Sequence, residues 1–426
     1  MPISGALRRG AVRLLERRDR RRARKAPPAD TREIRILLLH AYGMGGTIRT
    51  VFNLASHLAK NHDVEIVSVV RELPELFFEP PPGVRIRFLD DRVDGRKGLL
   101  NRFRSRLTPP DEAAAHWFTL KTDIALARYI RGRRGGVLIG TRPALNLLIA
   151  RFAGPEVITI GQEHANLPSH GEETSKQIAR RYGRLTAVAT LTETDLRSYR
   201  KALKKKPPVH LVRIPNAVPE LNAPPAPRTA PVAVAIGRLA HVKGYDLLIR
   251  AWAHVHKIYP EWELRIYGNG ARHDKLVESI EKRELTGCVK LMGPATDVGA
   301  VLAEASINVL SSRREGMPMT ILEAMSVGVP VVAYDCPTGP AEIITDGHNG
   351  LLVPAGKIHA MADAIGRLIA DPGLRTRLAE NGLVTVKEYD MSAVGPQWDD
   401  LLTACAAGSP RSGGTASPGS ERSTSP

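Results

Sequence analysis

The sequence predicts an α/β protein of two doubly wound parallel-sheet domains that face each other across a cleft. Three observations support this. The 426 residues are too many for one typical hydrophobic core. Short apolar runs alternate with helical stretches, and this pattern builds parallel sheets with helices on both faces. Five prolines within residues 219–231 separate two such series, so we expect an interdomain linker there.

The first series predicts a domain over residues 33–218 and the second a domain over residues 232–390. In the first domain we expect a helix at 49–60 and strands at 34–39, 64–70, 137–140, 157–161 and 187–191. In the second we expect strands at 232–237, 263–267, 289–292, 307–310 and 329–334, with helices at 245–257, at 271–283 and from residue 318. A last helix at 391–407 could pack back on the first domain.

Both ends of the chain differ in composition from the domains. Residues 1–32 form a basic arm that we expect to be disordered, and residues 408–426 are rich in Gly, Ser, Thr and Pro and are expected to be disordered too. The formal net charge is +17, and residues 1–30 contribute +7 of it, from nine Arg and one Lys against three acids. This asymmetry predicts an anionic partner: a membrane, a nucleic acid or a phosphorylated acceptor.

The composition excludes several classes of protein. No run of 18 apolar residues is present, so no transmembrane helix is predicted. The basic N-terminus lacks the apolar segment of a secretory signal. Three scattered cysteines show no metal-binding spacing and are expected to be reduced. These observations favour a cytoplasmic protein.

Two glutamates, Glu315 and Glu323, have seven residues between them. We expect Glu315 in a loop after the strand 307–310, and Glu323 inside a helix that begins near Pro318, a residue favoured in a first helical turn. A helix start offers free backbone N–H groups and positive dipole to an anion. A phosphate there, with one carboxylate beside it and one deeper, outlines a nucleotide-sugar site.

A glycine-rich loop follows the first predicted strand and contains Gly43, Gly45 and Gly46. Glycines between a strand and a helix let the backbone approach a ligand closely. The spacing matches neither a dinucleotide fingerprint nor a phosphate loop of the Gly-Lys-Ser/Thr type. A plain tight turn remains the alternative.

Arg238 and Lys243 come just after the first strand of the second domain, where open parallel sheets bind ligands. Arginine offers a planar fork for phosphate oxygens and lysine a compact charge. Facing a diphosphate, the two cations would neutralise charge that develops on a leaving group. Solvated surface charges are the alternative.

An ordered set of motifs in both halves resembles the retaining glycosyltransferases of family 4. The set consists of Ile-Pro-Asn-Ala-Val at 214–218, Gly-Arg-Leu and Lys-Gly-Tyr-Asp-Leu-Leu-Ile within 237–249, the two glutamates, Val-Pro-Val-Val-Ala-Tyr-Asp-Cys-Pro-Thr-Gly-Pro-Ala-Glu-Ile-Ile at 329–344 and Asp-Gly-His-Asn-Gly-Leu-Leu-Val-Pro at 346–354. The resemblance spans residues 33–406. It implies the GT-B fold of two Rossmann-like domains, with a nucleotide-diphosphate sugar donor bound mainly by the second domain.

The resemblance also implies roles for individual residues. Arg238 and Lys243 would hold the diphosphate, Glu323 would accept hydrogen bonds from the ribose hydroxyls, and Glu315 would contact the donor sugar. The base would lie against the backbone near residues 292–297.

Further donor contacts would come from backbone. In the first domain Gly45 and Gly46 would let the chain close on the phosphates and the acceptor, whereas Asn216 is expected to be structural. In the second domain the residues that would line the sugar and phosphate are Gly316, Met317, Met319 and Thr320.

Gln-Glu-His-Ala-Asn follows a predicted strand of the first domain. Family members often place a histidine there, facing the reacting sugar, and His164 matches that place. We therefore take His164 and Glu315 as the candidate catalytic residues. A structural or surface histidine is the alternative for His164 and the preferred interpretation for His40 and His170, and Glu163 receives no assigned role.

The family retains the anomeric configuration, and no covalent nucleophile is implied, so Glu315 is not taken as one. The leaving phosphate can accept the acceptor's proton while the protein positions the reactants and stabilises charge. The resemblance implies a hexosyltransferase acting from a nucleotide-diphosphate sugar, with uridine the commoner base, on a cell-envelope or lipid-linked glycan. No metal or other cofactor is expected.

Two other functions remain open for this sequence, and a third is not expected. A nucleotide-sugar epimerase of the same architecture and a catalytically dead nucleotide-sugar-binding protein remain alternatives. Nucleic acid is not expected as a partner, because the basic segments contain no recognition module.

A second basic amphipathic stretch covers residues 96–107. Leu99, Phe103 and Leu107 fall at helical spacing among five basic residues. Together with residues 1–25, this stretch predicts docking on an anionic membrane that holds a lipid-linked acceptor, at the inner face of the plasma membrane. A helix packed on the core, with its arginines exposed, is the alternative.

Overall fold

The framework of the protein is two parallel β-sheets, one of seven strands and one of six. The computed structural model describes residues 30–95 and 98–407, so the predicted arm, the C-terminal tail and residues 96–97 lie outside the described residues. The predicted α/β class with two parallel sheets is confirmed.

The elements of the first domain alternate along the chain. Its strands are β1 (Glu33–Leu38), β2 (Asp63–Arg71), β3 (Arg85–Asp91), β4 (Val137–Gly140), β5 (Ile158–Glu163), β6 (Ala187–Thr190) and β7 (His210–Arg213). Its helices are α1 (Gly46–Leu58), α2 (Leu120–Gly132), α3 (Pro143–Phe152), α4 (Glu172–Arg181) and α5 (Glu193–Leu203).

The second domain repeats this alternation. Its strands are β8 (Val232–Ile236), β9 (Glu263–Tyr267), β10 (Val289–Gly293), β11 (Ile307–Leu310), β12 (Val331–Asp335) and β13 (Leu351–Pro354). Its helices are α6 (Tyr245–Ile258), α7 (His273–Glu281), α8 (Val298–Ala303), α9 (Met319–Ser326), α10 (Pro340–Ile343), α11 (Ile358–Ala370) and α12 (Pro372–Val386), and α13 (Met391–Ala407) ends the described chain.

Each sheet has one point at which the strand order changes direction. The orders are β3-β2-β1-β4-β5-β6-β7 and β10-β9-β8-β11-β12-β13. Such a switch point leaves a crevice beyond the carboxyl ends of the two strands that flank it. The crevices therefore lie beyond β1 and β4 in the first sheet and beyond β8 and β11 in the second.

The central strands are largely apolar because helices cover both faces of each sheet. In β1, Ile34 and Ile36 pack into the core on one face, whereas Leu37 packs into the core on the other. In β8, Ala233 and Val234 likewise pack into the cores on opposite faces of the sheet. This two-sided burial explains why the central strands are mostly apolar in sequence, without a regular alternation of apolar and polar residues.

Three strands that the sequence did not reveal, β3, β7 and β13, all lie at sheet edges. Edge strands pair on one side only and tolerate polar residues. β3 reads Arg-Ile-Arg-Phe-Leu-Asp-Asp and buries one residue of seven, so it lacks the apolar signal of a central strand.

The predicted amphipathic helix within residues 96–107 is wrong. A single 3-10 turn, Leu99–Arg102, is followed by extended backbone at Phe103. The Ser105 hydroxyl and the Arg106 N–H donate to the carboxylate of Asp123, 18 and 17 residues further along the chain, at 2.6 and 2.8 Å. These tertiary bonds hold the backbone out of a helix. Leu107 packs against the core while Leu99 and Phe103 stay exposed, so the three do not share a helix face.

The last helix, α13, packs on the first domain although it follows the second in sequence. Trp398 and Leu401 join the core cluster that contains Ile34 and Ile36. His57 of α1 lies 3.0 Å from Asp399. None of the helices within the described residues is long and apolar enough to cross a membrane.

Candidate functional site

The two crevices meet across the domain boundary. Asn166, in the loop after β5, donates from Nδ2 to the carbonyl oxygen of Glu315 at 2.6 Å. A Cβ atom at Gly316 would collide with the carbonyl oxygen of His164, so only glycine fits where the two loops touch. The site therefore combines loops from both domains.

Glu315 is held by two donors of its own domain. The Lys243 ammonium lies 2.6 Å from its Oε1 atom, and the Ser312 hydroxyl donates to the same oxygen at 2.6 Å. Charge-assisted bonds of this length restrict a side chain to one position. The structure thus brings two of the predicted site residues together, whereas Arg238, beyond β8, is exposed.

Glu323 lies in α9, and only 7% of the residue is exposed. Its Oε1 atom pairs with Nη1 of Arg49 from the first domain at 3.1 Å. Burial raises the pKa of Glu323, and the charges of Arg49 and Lys243 act in the opposite direction. The pair links the two domains at the residue that the family resemblance assigns to the ribose.

Sequence reasoning missed Arg49. The one available signal was a cation three residues after Gly46, at the start of the helix that follows the glycine loop. That signal does not name a partner, because Glu323 lies 274 residues further along the chain.

The helix starts near the site lack side-chain caps. Neither α1 nor α9 has a capping side chain or an acidic residue in its first turn. The first N–H groups of a helix need partners from outside it, and an anion suits them. In α9 this start consists of Met319 and Thr320, two of the predicted donor-binding residues.

Met317 and Asn216 contact each other rather than the cleft. The Asn216 N–H donates to the sulfur of Met317 at 3.3 Å, and Met317 is packed in the core of the second domain. The side chain of Met317 therefore anchors the segment that connects the domains. The backbone of Met317 remains available for a ligand contact.

Gly45 and Gly46 are not required by the fold. Gly45 has an ordinary φ of −69°, and a Cβ atom at Gly46 would meet no atom within 4 Å. Glycine is usually demanded by a positive φ or by a close neighbour. Neither a positive φ nor a close neighbour is found here. The open space beside Gly46 lies at the start of α1, on the side of the cleft.

His164 presents an uncharged imidazole at neutral pH. Its Nε2 atom is buried and has no hydrogen-bond partner within the described part of the chain. Burial lowers the pKa of His164 to about 4, and the nearby Arg142 adds to this shift. A neutral imidazole can exchange hydrogen bonds with a sugar hydroxyl without introducing a charge.

Glu163, the residue before His164, belongs to a buried polar network of the first domain. Its carboxylate accepts hydrogen bonds from Asn146, at 2.8 Å, and from Tyr182. Burial lowers the pKa of His170, but its contact with Glu163 outweighs this, and the net pKa is raised. Glu163 therefore supports the end of β5, and the backbone of His164, just beyond the strand, meets the second domain at Gly316.

The described residues contain no group of three or more His, Cys, Asp or Glu side chains placed to hold a metal ion. The predicted base-binding segment begins at the carboxyl end of the edge strand β10, where Met292 is exposed.

Comparison with known structures supports the fold. TarM of S. aureus, solved in complex with fondaparinux, alpha-GlcNAc-glycerol and UDP, aligns with a TM-score of 0.73 and 17% identity over 87% of this chain and 100% of TarM. Two facing parallel-sheet domains with the site between them define the GT-B class of glycosyltransferase fold. Residues 220–384 match the family described as glycosyl transferases group 1. This matched region belongs to the family, and the resemblance of the motifs to group 1 glycosyltransferases is confirmed.

Two curated relatives have names that refer to polysaccharides. The exopolysaccharide phosphotransferase SCO2592 of Streptomyces coelicolor is 34% identical over 385 residues, which cover 87% of this chain. The amylovoran biosynthesis glycosyltransferase AmsD of Erwinia amylovora is 27% identical over 287 residues, or 65% of this chain. The chain spans 40% of the length of the Streptomyces relative and 80% of that of AmsD.

Proposed function

We propose that this chain is a retaining glycosyltransferase that moves a hexose from a nucleotide-diphosphate sugar, with UDP as the carrier, to a hydroxyl of a cell-envelope or lipid-linked glycan. The observation that carries the proposal is the meeting of Glu315, Glu323 and Lys243 with Arg49 and His164 at one interdomain cleft. The names of the relatives, which concern exopolysaccharide and amylovoran, support a cell-envelope acceptor.

The proposed reaction exchanges one bond at the anomeric carbon for another. The bond between this carbon and the diphosphate oxygen breaks, a bond to the acceptor oxygen forms on the same face, and the leaving diphosphate takes the acceptor's proton. Arg238 and Lys243 stabilise the charge that develops on the diphosphate, so the proposal needs no metal. Glu315 and His164 hold the sugar between them, which is a positioning role.

A panel of nucleotide sugars tests the donor. A ligand that binds only the native state raises the apparent melting temperature. We expect UDP-sugars to raise the Tm of the full chain, and expect GDP-sugars and ATP to raise it less. A protein whose Tm responds to no nucleotide sugar would contradict the proposed donor.

Gly46→Ala separates ligand binding from folding. A Cβ atom at this position meets no protein atom, and alanine is the better helix former, so we expect the free energy of unfolding to stay the same or to rise. We expect the affinity for the nucleotide sugar to fall roughly tenfold, because the added methyl group occupies the space that the donor phosphates approach.

The matched control is Gly132→Ala at the end of α2, where a Cβ atom also meets nothing within 4 Å. This variant should keep its affinity in isothermal titration. Equal affinities for the two variants would argue that the glycine loop does not touch the donor.

We also propose that the exposed surface around residues 99–106 docks on anionic membrane, where a lipid-linked acceptor would be held. Leu99 and Phe103 are 69% and 50% exposed, and Arg102, Arg104 and Arg106 beside them are exposed as well. Apolar side chains among arginines suit the boundary between headgroups and acyl chains. This surface, together with residues 1–25, would place the enzyme at the cytoplasmic face of the membrane.

Flotation with anionic liposomes tests this surface. Replacing both Leu99 and Phe103 by Ser is expected to reduce the bound fraction severalfold at low salt, because it removes the apolar part of the contact. Val209→Ser, at another exposed apolar residue of the same domain, should change nothing. Binding that is insensitive to both salt and the double replacement would exclude this surface.

A further inference from the structure

We propose that a pyranose ring of the acceptor stacks on an aromatic platform of the first domain formed by His40, Tyr42 and Trp117. The inference deepens the proposed function and depends on it, because it names the site at which a sugar, rather than a lipid chain or a peptide, presents the reacting hydroxyl.

The three rings form one contiguous group. His40 and Tyr42 are stacked, with ring centroids 4.8 Å apart and an interplanar angle of 28°. The Trp117 ring lies 5.6 Å from His40, and the exposed His116 lies 5.6 Å from Trp117. His40, Trp117 and His116 are all partly or fully accessible, so the platform reaches the surface.

The platform lies at the switch point of the first sheet. His40 and Tyr42 follow β1 directly, and the glycine loop continues from them. A Cβ atom at Gly43 would lie 2.7 Å from Cε1 of His40, so this loop crosses the edge of the imidazole. Parallel sheets bind ligands in this position.

The Arg142 side chain lies near both the platform and His164, which borders the donor loop. Burial is the main cause of the lowered pKa of both His40 and His164. Arg142, which follows β4, is close enough for its charge to lower both pKa values further. The carbonyl oxygen of His164 in turn touches Gly316. A sugar on the platform would therefore lie on the acceptor side of His164, with the donor beyond it.

Buried polar atoms of the platform have no partner within residues 30–95 and 98–407. They are the hydroxyl of Tyr42, a residue that is only 7% exposed, and Nδ1 of His40. Buried polar groups are nearly always hydrogen-bonded in folded proteins. Burial, with the charge of Glu72, raises the pKa of Tyr42 to about 12, so its hydroxyl remains a donor at neutral pH.

The chemistry of the platform fits a neutral carbohydrate. One face of a pyranose carries C–H groups that pack against the negative face of an aromatic ring, while its hydroxyls need donors and acceptors at the rim. An anionic ligand would need a free cation. The nearby Arg142 and Arg92 are instead paired with Glu112 and Asp90, each at 2.7 Å.

Saturation-transfer NMR on the full chain tests the platform. The probes are UDP and GDP with a panel of neutral disaccharides: maltose, cellobiose, lactose and chitobiose. In the wild type we expect ring C–H protons of at least one disaccharide to receive saturation. In Trp117→Ala and Tyr42→Ala this signal should fall roughly fivefold to tenfold, while nucleotide signals persist. The first variant removes an accessible ring, and the second removes the unpartnered hydroxyl and the ring against which His40 stacks.

Two further variants refine the test. Phe77→Ala removes an exposed aromatic ring of the same domain outside the platform and should leave the disaccharide signal unchanged. Trp117→Phe keeps an aromatic face and should restore much of the signal, so a folding defect in Trp117→Ala would not hide the answer.

The outcomes distinguish the two levels of the proposal. Unchanged disaccharide signals in Trp117→Ala and Tyr42→Ala, or no disaccharide signal in a wild type that binds nucleotide, would overturn the platform and leave the donor assignment standing. A wild type that binds neither nucleotide would instead remove the proposed function on which the platform rests.

Discussion

Replacing Glu315 by glutamine is expected to lower kcat about 100-fold while changing the donor KM by less than threefold, the pattern of an interaction made chiefly in the transition state. The reason is geometric. Lys243 and Ser312 aim the Glu315 carboxylate from the loop that meets His164 and Asn166, where the proposed sugar would sit. Glutamine keeps the size and the bond from Ser312 but loses the charge that holds Lys243.

The measurement is steady-state transfer with varied donor, and the matched control is Asp246→Asn. Asp246 pairs with Arg313 at 2.6 Å in the same domain, so its replacement also breaks an ion pair but leaves Glu315 in place. The control should transfer at nearly the wild-type rate. A Glu315→Gln enzyme as fast as this control would rule out a role for Glu315 in turnover.

Glu323→Ala is expected to act on donor binding instead, with the dissociation constant for UDP rising roughly tenfold to 100-fold. Hydrogen bonds to a charged group contribute about 1.5–3 kcal/mol, and the ribose hydroxyls would lose such bonds. Glu323 is buried and aligned by Arg49 at 3.1 Å, so it offers a preformed acceptor at the floor of the cleft.

Because the Arg49–Glu323 pair also links the domains, the control must separate binding from domain contact. Glu342 provides it, since its carboxylate accepts the N–H groups of Glu193 and Thr194 at 2.7 and 2.8 Å across the same boundary. Glu342→Ala removes an interdomain link without touching Glu323. If titration shows the same loss of UDP affinity for both variants, the effect comes from domain closure rather than from a ribose contact.

The fold was predictable where the signal is local. Central strands such as β1 and β8 are buried on both faces, and their apolar runs are visible without any knowledge of their neighbours. The edge strand β3 was missed because it is half exposed and rich in charge. The stretch after Leu99 was misassigned because its helical spacing was real, but hydrogen bonds to Asp123 held the backbone in another form.

The candidate site was predictable in part for the same reason. Arg238, Lys243, Glu315 and Glu323 were selected from motifs and from their position after strands, and the structure places Lys243 against Glu315. Arg49 was missed because nothing in its neighbourhood along the chain names a buried carboxylate in the other domain.

The sequence by itself determined the α/β class, the two parallel sheets and the family. The reason is that hydrophobic periodicity and sequence motifs are properties of residues close together in the chain. Only the tertiary structure decided that Arg49 faces Glu323, that Asn166 binds the Glu315 loop, and that Trp117 joins His40 and Tyr42 in one platform. These contacts bring together residues far apart in the chain, and their geometry follows from packing within and between the two domains, which no local pattern encodes.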